Sequence, residues 1–176
     1  MKVLLDEYGV RKAAMTTIHA YTGTQAVVDT VDQKDLRRGR AAAINIVPST
    51  TGAAEAVVQA IPELKGKFEA ISARVPVPVG SLSVITALVG KQTSAEQVND
   101  VFRRASAEPR WSKILRVTDD SIVSADIVGE PFGAIIDAAL TKASDGDLLT
   151  VFSWYDNEAG YTATLIEHVR RIAMLL

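Results

Sequence analysis

Met15-Thr16-Thr17-Ile18-His19-Ala20-Tyr21-Thr22 is rich in β-branched residues and ends at a polar turn beginning with Gly23, a pattern that predicts a short strand with His19 near its end. A rigid element of this kind holds an imidazole in a fixed orientation. Because the ordinary pKa of histidine lies near working pH, a ring held there can act as a general base or keep a neighbouring thiol ionised. A satisfied structural histidine is the other reading of these residues, and the partner nucleophile is not evident from them.

The composition around this strand sets the class of protein. With 176 residues, 48% hydrophobic and 23% charged, the chain can bury one sizeable core, so a single domain is expected. Lys and Arg total 19 against 21 Asp and Glu, and the net charge of -2 offers no global attraction to nucleic acid or to an anionic membrane. There is no cysteine, which excludes disulfides, thiolate metal sites and a cysteine nucleophile within these residues. No uncharged apolar run approaches the ~18 residues of a membrane span. The start, Met1-Lys2-Val3-Leu4-Leu5-Asp6-Glu7, is too short and too charged for a signal peptide, so a soluble cytoplasmic protein is expected.

Before the strand, residues 2 to 8 read as the tail of a helix stopped by Gly9, with Val3, Leu4 and Tyr8 on its apolar side. After it, residues 23 to 47 form a long mixed segment in which Asp29, Asp32, Lys34 and Asp35 precede Arg37, Arg38 and Arg40. A loop of that length in a compact domain is usually functional or interface-forming. Pro48-Ser49-Thr50-Thr51-Gly52 then leads into an Ala-rich helix over 53 to 61, ended by Pro62. Thr51 is either a simple cap or part of an anion site, because free amides and the positive end of the helix dipole meet there.

In Ile71-Ser72-Ala73-Arg74-Val75-Pro76-Val77, the apolar residues 71, 73, 75 and 77 share one face, which places Arg74 on the side away from the packing. Pro76 and Pro78 suit an edge or an irregular strand end, whereas Ser81 to Val89 reads as a central strand, and the two are expected to pair as neighbours. Ser94-Ala95-Glu96-Gln97 is a capping box opening an amphipathic helix over 95 to 107. Extended pieces are expected at 113 to 118, 121 to 128 and 133 to 142. A turn at Ser144-Asp145-Gly146-Asp147 leads into a long apolar strand over 148 to 155, expected to be central in the sheet. Asp156 or Asn157 caps a last helix, on which Leu165, Val169, Ile172, Ala173 and Leu176 mark a buried stripe. His168 lies on this helix outside any motif and reads as a surface residue.

There is no internal repeat, Gly-rich dinucleotide fingerprint, phosphate-binding loop or paired-histidine metal motif. Strand runs broken by separate helices predict an α+β domain, a mixed and largely antiparallel sheet with helices packed on one face.

Five stretches, in this order, resemble phosphorylating glyceraldehyde-3-phosphate dehydrogenases: Met15-Thr-Thr-Ile-His-Ala-Tyr-Thr22, Asp35-Leu-Arg-Arg-Gly-Arg-Ala-Ala-Ala43, Pro48-Ser-Thr-Thr-Gly-Ala-Ala54, Ala73-Arg-Val-Pro-Val-Pro78 and Ser153-Trp-Tyr-Asp-Asn-Glu158. Together they cover essentially the whole chain, which resembles the catalytic, C-terminal domain of that family. The resemblance implies oxidation of an aldehyde by hydride transfer to NAD, then phosphate attack on a cysteine thioester, as in glycolysis. It implies that His19 pairs with the active-site cysteine and serves in the acid-base steps. By the same resemblance Thr22 and Arg74 hold the phosphate of glyceraldehyde 3-phosphate, while Thr51, Gly52 and Arg38 hold attacking inorganic phosphate. Asn157 holds the nicotinamide amide and Tyr161 lies beside it. The loop from Thr24 to Gly39 resembles one that contacts a neighbouring subunit, so a homo-oligomer, a homotetramer in the family, is implied through that loop and the sheet face.

The sequence departs from the family pattern in three places. The family's Ser-Cys-Thr-Thr-Asn motif belongs just upstream of Lys2 and is absent, together with the NAD-binding domain, so the isolated chain is expected to be inactive. Ala159 stands where the family usually has a large aromatic, and Thr24 where many members have Asp. A different class of function, a non-catalytic phosphate-binding or oligomer-assembly module derived from this domain, is the alternative. Erythrose-4-phosphate dehydrogenases fit the Thr-Gly-Ala-Ala segment less well.

Overall fold

The strand carrying His19, β1 (Val10–Ala20), lies third in a seven-stranded mixed sheet. The computed structural model describes residues 1–32 and 35–175. Along the chain, α1 (Lys2–Tyr8) precedes β1, and β2 (Val47–Ser49), α2 (Ala53–Ala60), a 3-10 turn (Pro62–Leu64), β3 (Phe68–Val75) and β4 (Ser81–Val89) follow it. Then come α3 (Ala95–Ala107), β5 (Leu115–Thr118), β6 (Ala134–Ser144), β7 (Leu148–Tyr155) and α4 (Ala159–Ala173). The strand order is β2-β3-β1-β4-β7-β6-β5. Two pairs, β1 with β3 and β5 with β6, are parallel, and the other four are antiparallel. This is the α+β arrangement with a mixed, largely antiparallel sheet.

Local chemistry explains several boundaries. Gly9, at φ +67°, ends α1 with its amide on the Leu5 carbonyl. Ser94 accepts from the Gln97 amide while the Gln97 side chain accepts from Ser94, so the capping box of α3 is complete. Asp145 and Gly146 both have positive φ, as a tight hairpin between β6 and β7 requires. The core lies between the sheet and α1, α2 and α3. Leu4, Leu64, Val98 and Leu149 are fully buried there, beside Phe68, Ala87, Val89, Phe102 and Val151.

Several expectations from the sequence are corrected. β3 and β4 are not neighbours, because β1 lies between them, parallel to one and antiparallel to the other. The covered face of β3 is also the opposite one. Phe68 and Ser72 are buried while Ile71 is 62% exposed, so Arg74 shares the helix-covered side. Ile71 instead lies on the open face of the sheet. Of the two readings of Pro76 and Pro78, an edge or an irregular strand end, the second holds, since both lie just past the end of β3; the edge on this side is β2, missed in the sequence because Pro48 and Ser49 read as part of a cap. Residues 121 to 128 form a bend and turn rather than a strand, held where the Asp126 carboxylate accepts from the Val123 amide.

The largest correction concerns α4. Its expected buried stripe is turned outward: Leu165, Val169 and Ile172 are about half exposed and Ala173 is exposed, while Leu176 lies outside the described residues. The inward stripe is small and polar, running through Gly160, Thr164, Glu167 and Arg171. Gly160 sits so close to the Phe132 carbonyl that a Cβ there would be 2.6 Å from its oxygen. Glu167 is clamped by Lys113 at 3.1 Å and Arg171 at 3.2 Å. These contacts turn the helix and leave its apolar side facing solvent. His168 is exposed, as expected.

Candidate active site

Strand register assembles the site. Across β1 and β3, His19 lies opposite Arg74; across β1 and β4 it lies opposite Ser81, and Ser81 in turn lies opposite Tyr155 of β7. Residues 55 or more positions from His19 in sequence thus join it in one row on the helix-covered face of the sheet. The next row toward the core is Ser72, Thr17, Ser83 and Ser153, all buried hydroxyl residues. The Thr17 and Tyr155 hydroxyls are hydrogen-bonded at 2.7 Å, and the Tyr155 ring stands edge-on to the imidazole with centroids 6.1 Å apart. Among the described residues the Ser49, Ser72 and Ser81 hydroxyls have no partner.

His19 Nδ1 lies 2.7 Å from the Ala20 carbonyl oxygen and 2.7 Å from an Arg74 guanidinium nitrogen, which also donates to Ala20 O at 3.0 Å. Nε2 has no hydrogen-bond partner among the described residues. Burial pulls the His19 pKa below its ordinary value; the Ala20 carbonyl opposes this and the Arg74 charge adds to it. The imidazole is therefore neutral at neutral pH, with one ring nitrogen able to accept a proton. Arg74 is partly buried and has no carboxylate partner among the described residues. Its own pKa is lowered, by burial first, with Tyr155 opposing and the nearby Arg38 charge contributing.

The remaining sequence candidates surround this centre unevenly. Thr22 follows β1 by two residues; its hydroxyl is 3.1 Å from that of Thr24, and its amide donates to Gln25 Oε1 at 3.2 Å. Arg38 is paired with Asp35 at 3.4 Å, and its carbonyl accepts from the Ala26 amide, which ties the far side of the loop back to the Thr22 turn. Thr51 and Gly52 begin α2. Gly52 is the N-cap, and Thr51 Oγ1 accepts from the Ala53 amide, so the capping oxygen lies one residue earlier than usual. No hydrogen bond among the described residues joins Thr51 or Gly52 to the His19 group.

Asn157 and Tyr161 do meet His19. A cavity of about 330 Å³ is lined by these three with Tyr155, Gly160 and Thr164. Asn157 Oδ1 accepts from the Gly80 amide at 3.2 Å, leaving its side-chain amide nitrogen as a donor, and the Tyr161 ring is 68% exposed. Beneath them Asp156 organises the turn into α4: Oδ1 accepts from the Glu158 and Ala159 amides and Oδ2 from Gly129. Asp156 or Asn157 was expected as this cap; the N-cap position is held by Glu158, and the Asp156 carboxylate supplies the capping oxygen from two residues earlier. Sequence reasoning assigned no role to Thr17, Ser81 or Tyr155. Period two from His19 reaches Thr17, but only strand pairing brings Ser81 and Tyr155 to it.

Residues 1–157 match the family model described as glyceraldehyde 3-phosphate dehydrogenase, C-terminal domain. The chain belongs to this family. It is 52% identical over 167 residues to a glyceraldehyde-3-phosphate dehydrogenase of Thermotoga maritima, covering 95% of this chain and 50% of the relative. Another, from Mycobacterium avium, is 48% identical over 175 residues, covering 99% and 51%. A glyceraldehyde-3-phosphate dehydrogenase 2 of Synechocystis sp. is 44% identical over 172 residues, covering 98% and 50%. The chain thus spans about half the length of the curated relatives it matches, and its match to the C-terminal domain model accounts for the half it represents.

Proposed function

We propose that this chain is the catalytic domain of an NAD-dependent phosphorylating glyceraldehyde-3-phosphate dehydrogenase, acting in the cytoplasm on glyceraldehyde 3-phosphate and inorganic phosphate. The observation that carries the reading is the pairing of a neutral His19 with an Arg74 guanidinium where, among the described residues, Nε2 of the one has no partner and the other has no acid. A neutral imidazole can take the proton of a thiol or hemithioacetal hydroxyl at Nε2 and return it later. Arg74 and Thr22 hold the substrate phosphate through charge-assisted hydrogen bonds. Arg38, with the Thr51 and Gly52 start of α2, provides the second phosphate site, where a positive helix end and free amides favour an anion.

The residues facing the cavity fit a nicotinamide. The Asn157 amide nitrogen donates to a carboxamide oxygen, and Tyr161 offers a flat apolar face beside it. When bound, the dinucleotide supplies the hydride acceptor. These 176 residues contain no cysteine, so by themselves they are inactive. The test is a fusion of the N-terminal half of the Thermotoga maritima relative to this chain. Phosphate-dependent NAD reduction should appear in the fusion and not in the chain alone, and His19→Asn should lower it by roughly 10²–10⁴-fold, the usual contribution of an acid-base group. A folded fusion indifferent to that substitution refutes the assignment.

A specific surface supports the alternative, an assembly or phosphate-binding module. Val27, Val28, Val31, Leu36, Ile44 and Ile46 in the loop after β1 are each at least 69% exposed, and Ile71 adds apolar area on the open sheet face. So many large apolar side chains left exposed in one loop support a contact with another subunit. Sedimentation analysis of the chain should show self-association weakened by Val28→Asp. A monomer that still binds phosphate leaves only the binding module.

A further inference from the structure

We propose that Arg74 is a positioning residue for His19 as well as an anion ligand, and that an anion drawn to its guanidinium frees His19 Nδ1 and so sets the protonation of the imidazole. This rests on the reading of Arg74 as a phosphate ligand. The argument lies in the triangle formed by His19 Nδ1, Ala20 O and the Arg74 guanidinium nitrogen, with sides of 2.7, 2.7 and 3.0 Å. Nδ1 faces an acceptor and a donor at once. If it carries a proton it satisfies Ala20 O, but two N–H groups then confront each other across the Arg74 side. If it carries a lone pair it accepts from Arg74, but that lone pair then confronts the Ala20 oxygen. Either tautomer leaves one contact of the triangle unfavourable.

Withdrawing the guanidinium resolves the conflict in one direction. Nδ1–H then donates to Ala20 O, Nε2 keeps its lone pair, and a second proton no longer meets a cation 2.7 Å away. Phosphate or another dianion beside Thr22 provides that withdrawal, because Arg74 has no competing acid among the described residues. The charged and titratable groups around His19 are Arg74 from β3, Arg38 from the loop, Tyr155 from β7, and Asp156 and Tyr161 from the cavity wall. Asp156 is the one carboxylate among these, and its oxygens already accept three backbone amides. An arriving anion therefore adds negative charge to a site whose one carboxylate among these groups is already committed to backbone amides. The lowering of His19 by burial and by Arg74 agrees with this picture.

Linkage requires the converse: the anion binds more tightly once His19 is protonated. The chain has only two histidines, so side-chain nitrogen NMR resolves His19, with exposed His168 as an internal reference. Sulfate is the probe, since its charge is constant over the titration range. Sulfate should move the His19 midpoint upward, and its affinity should rise about fivefold or more as His19 becomes protonated. Arg74→Gln should raise the His19 midpoint without sulfate and abolish the sulfate effect, whereas Arg74→Lys should keep part of it. If sulfate shifts the Thr22 amide signal but not His19, or if a folded Arg74→Gln protein titrates as wild type, the coupling is refuted. If wild type binds no sulfate, the anion-site reading fails, and the Arg74→Gln midpoint still decides whether the guanidinium controls His19.

Discussion

Removing the Asp156 carboxylate tests how the end of β7 is tied to the start of α4. Asp156 is 3% exposed and accepts three backbone amides, from Glu158 at 2.7 Å and from Ala159 and Gly129 at 2.8 Å. In Asp156→Ala the helix loses its cap, worth about 1 kcal/mol. The exposed Gly129 amide loses its acceptor but can turn to water, so this bond adds only the net worth of a hydrogen bond, about 0.5–1.5 kcal/mol. The sum is about 1.5–2.5 kcal/mol, still a sizeable share of the ~5–15 kcal/mol that holds a domain together. Asp156→Asn keeps an oxygen for the two helix amides but sets its NH2 against the Gly129 N–H, so it should recover the capping part alone.

Acidity provides an independent check. Burial raises the Asp156 pKa, but the bonds from Gly129, Glu158 and Ala159 outweigh it, so the folded value lies below the ordinary 3.8. A carboxyl depressed in the folded state contributes stability that is fully present above its unfolded pKa and is lost as pH falls through the folded one. Urea denaturation of wild type and both variants should therefore show a constant gap from neutral pH down to about pH 4, narrowing below it. A loss under about 0.5 kcal/mol in Asp156→Ala, or an Asn variant no better than Ala, refutes this account.

Three further outcomes follow from the same contacts. Leu4→Ala, at a fully buried position between α1 and the sheet, should destabilise by about 2–5 kcal/mol in urea titration. Gly160→Ala forces a methyl to within 2.6 Å of the Phe132 carbonyl oxygen and should lose about 1–3 kcal/mol, with shifted amide signals lining the cavity. His19 is held below its ordinary 6.5 in the folded chain, so the unfolded chain takes up the proton first on acidification. Relative to His19→Gln, wild type should lose stability as pH falls from about 6.5 toward the folded value and show no difference above it. Equal acid sensitivity in the two proteins contradicts a lowered His19.

What the sequence determined by itself was everything resting on neighbours within a few positions. Gly9 stopping α1, the Ser94 and Gln97 box opening α3, the Asp145-Gly146 hairpin and the strand with His19 near its end each depend on local backbone and hydrogen-bond chemistry. The five ordered motifs determined the family. The tertiary structure decided which faces are covered and which residues meet. Period two showed that the sides of β3 differ but not which one the helices cover, because Ile71, Ala73 and Val75 carry enough apolar surface to pass for the inner side. On α4 the apolar stripe was legible, yet the close approach of Gly160 to Phe132 and the clamp on Glu167 turned it outward. The site shows the same division. His19 and Arg74 were visible as separate candidates, but their shared carbonyl exists only because β1 and β3 pair in parallel with those two residues opposite each other. That register is set by hydrogen bonds between strands far apart in sequence and by the core beneath them, which no local pattern encodes.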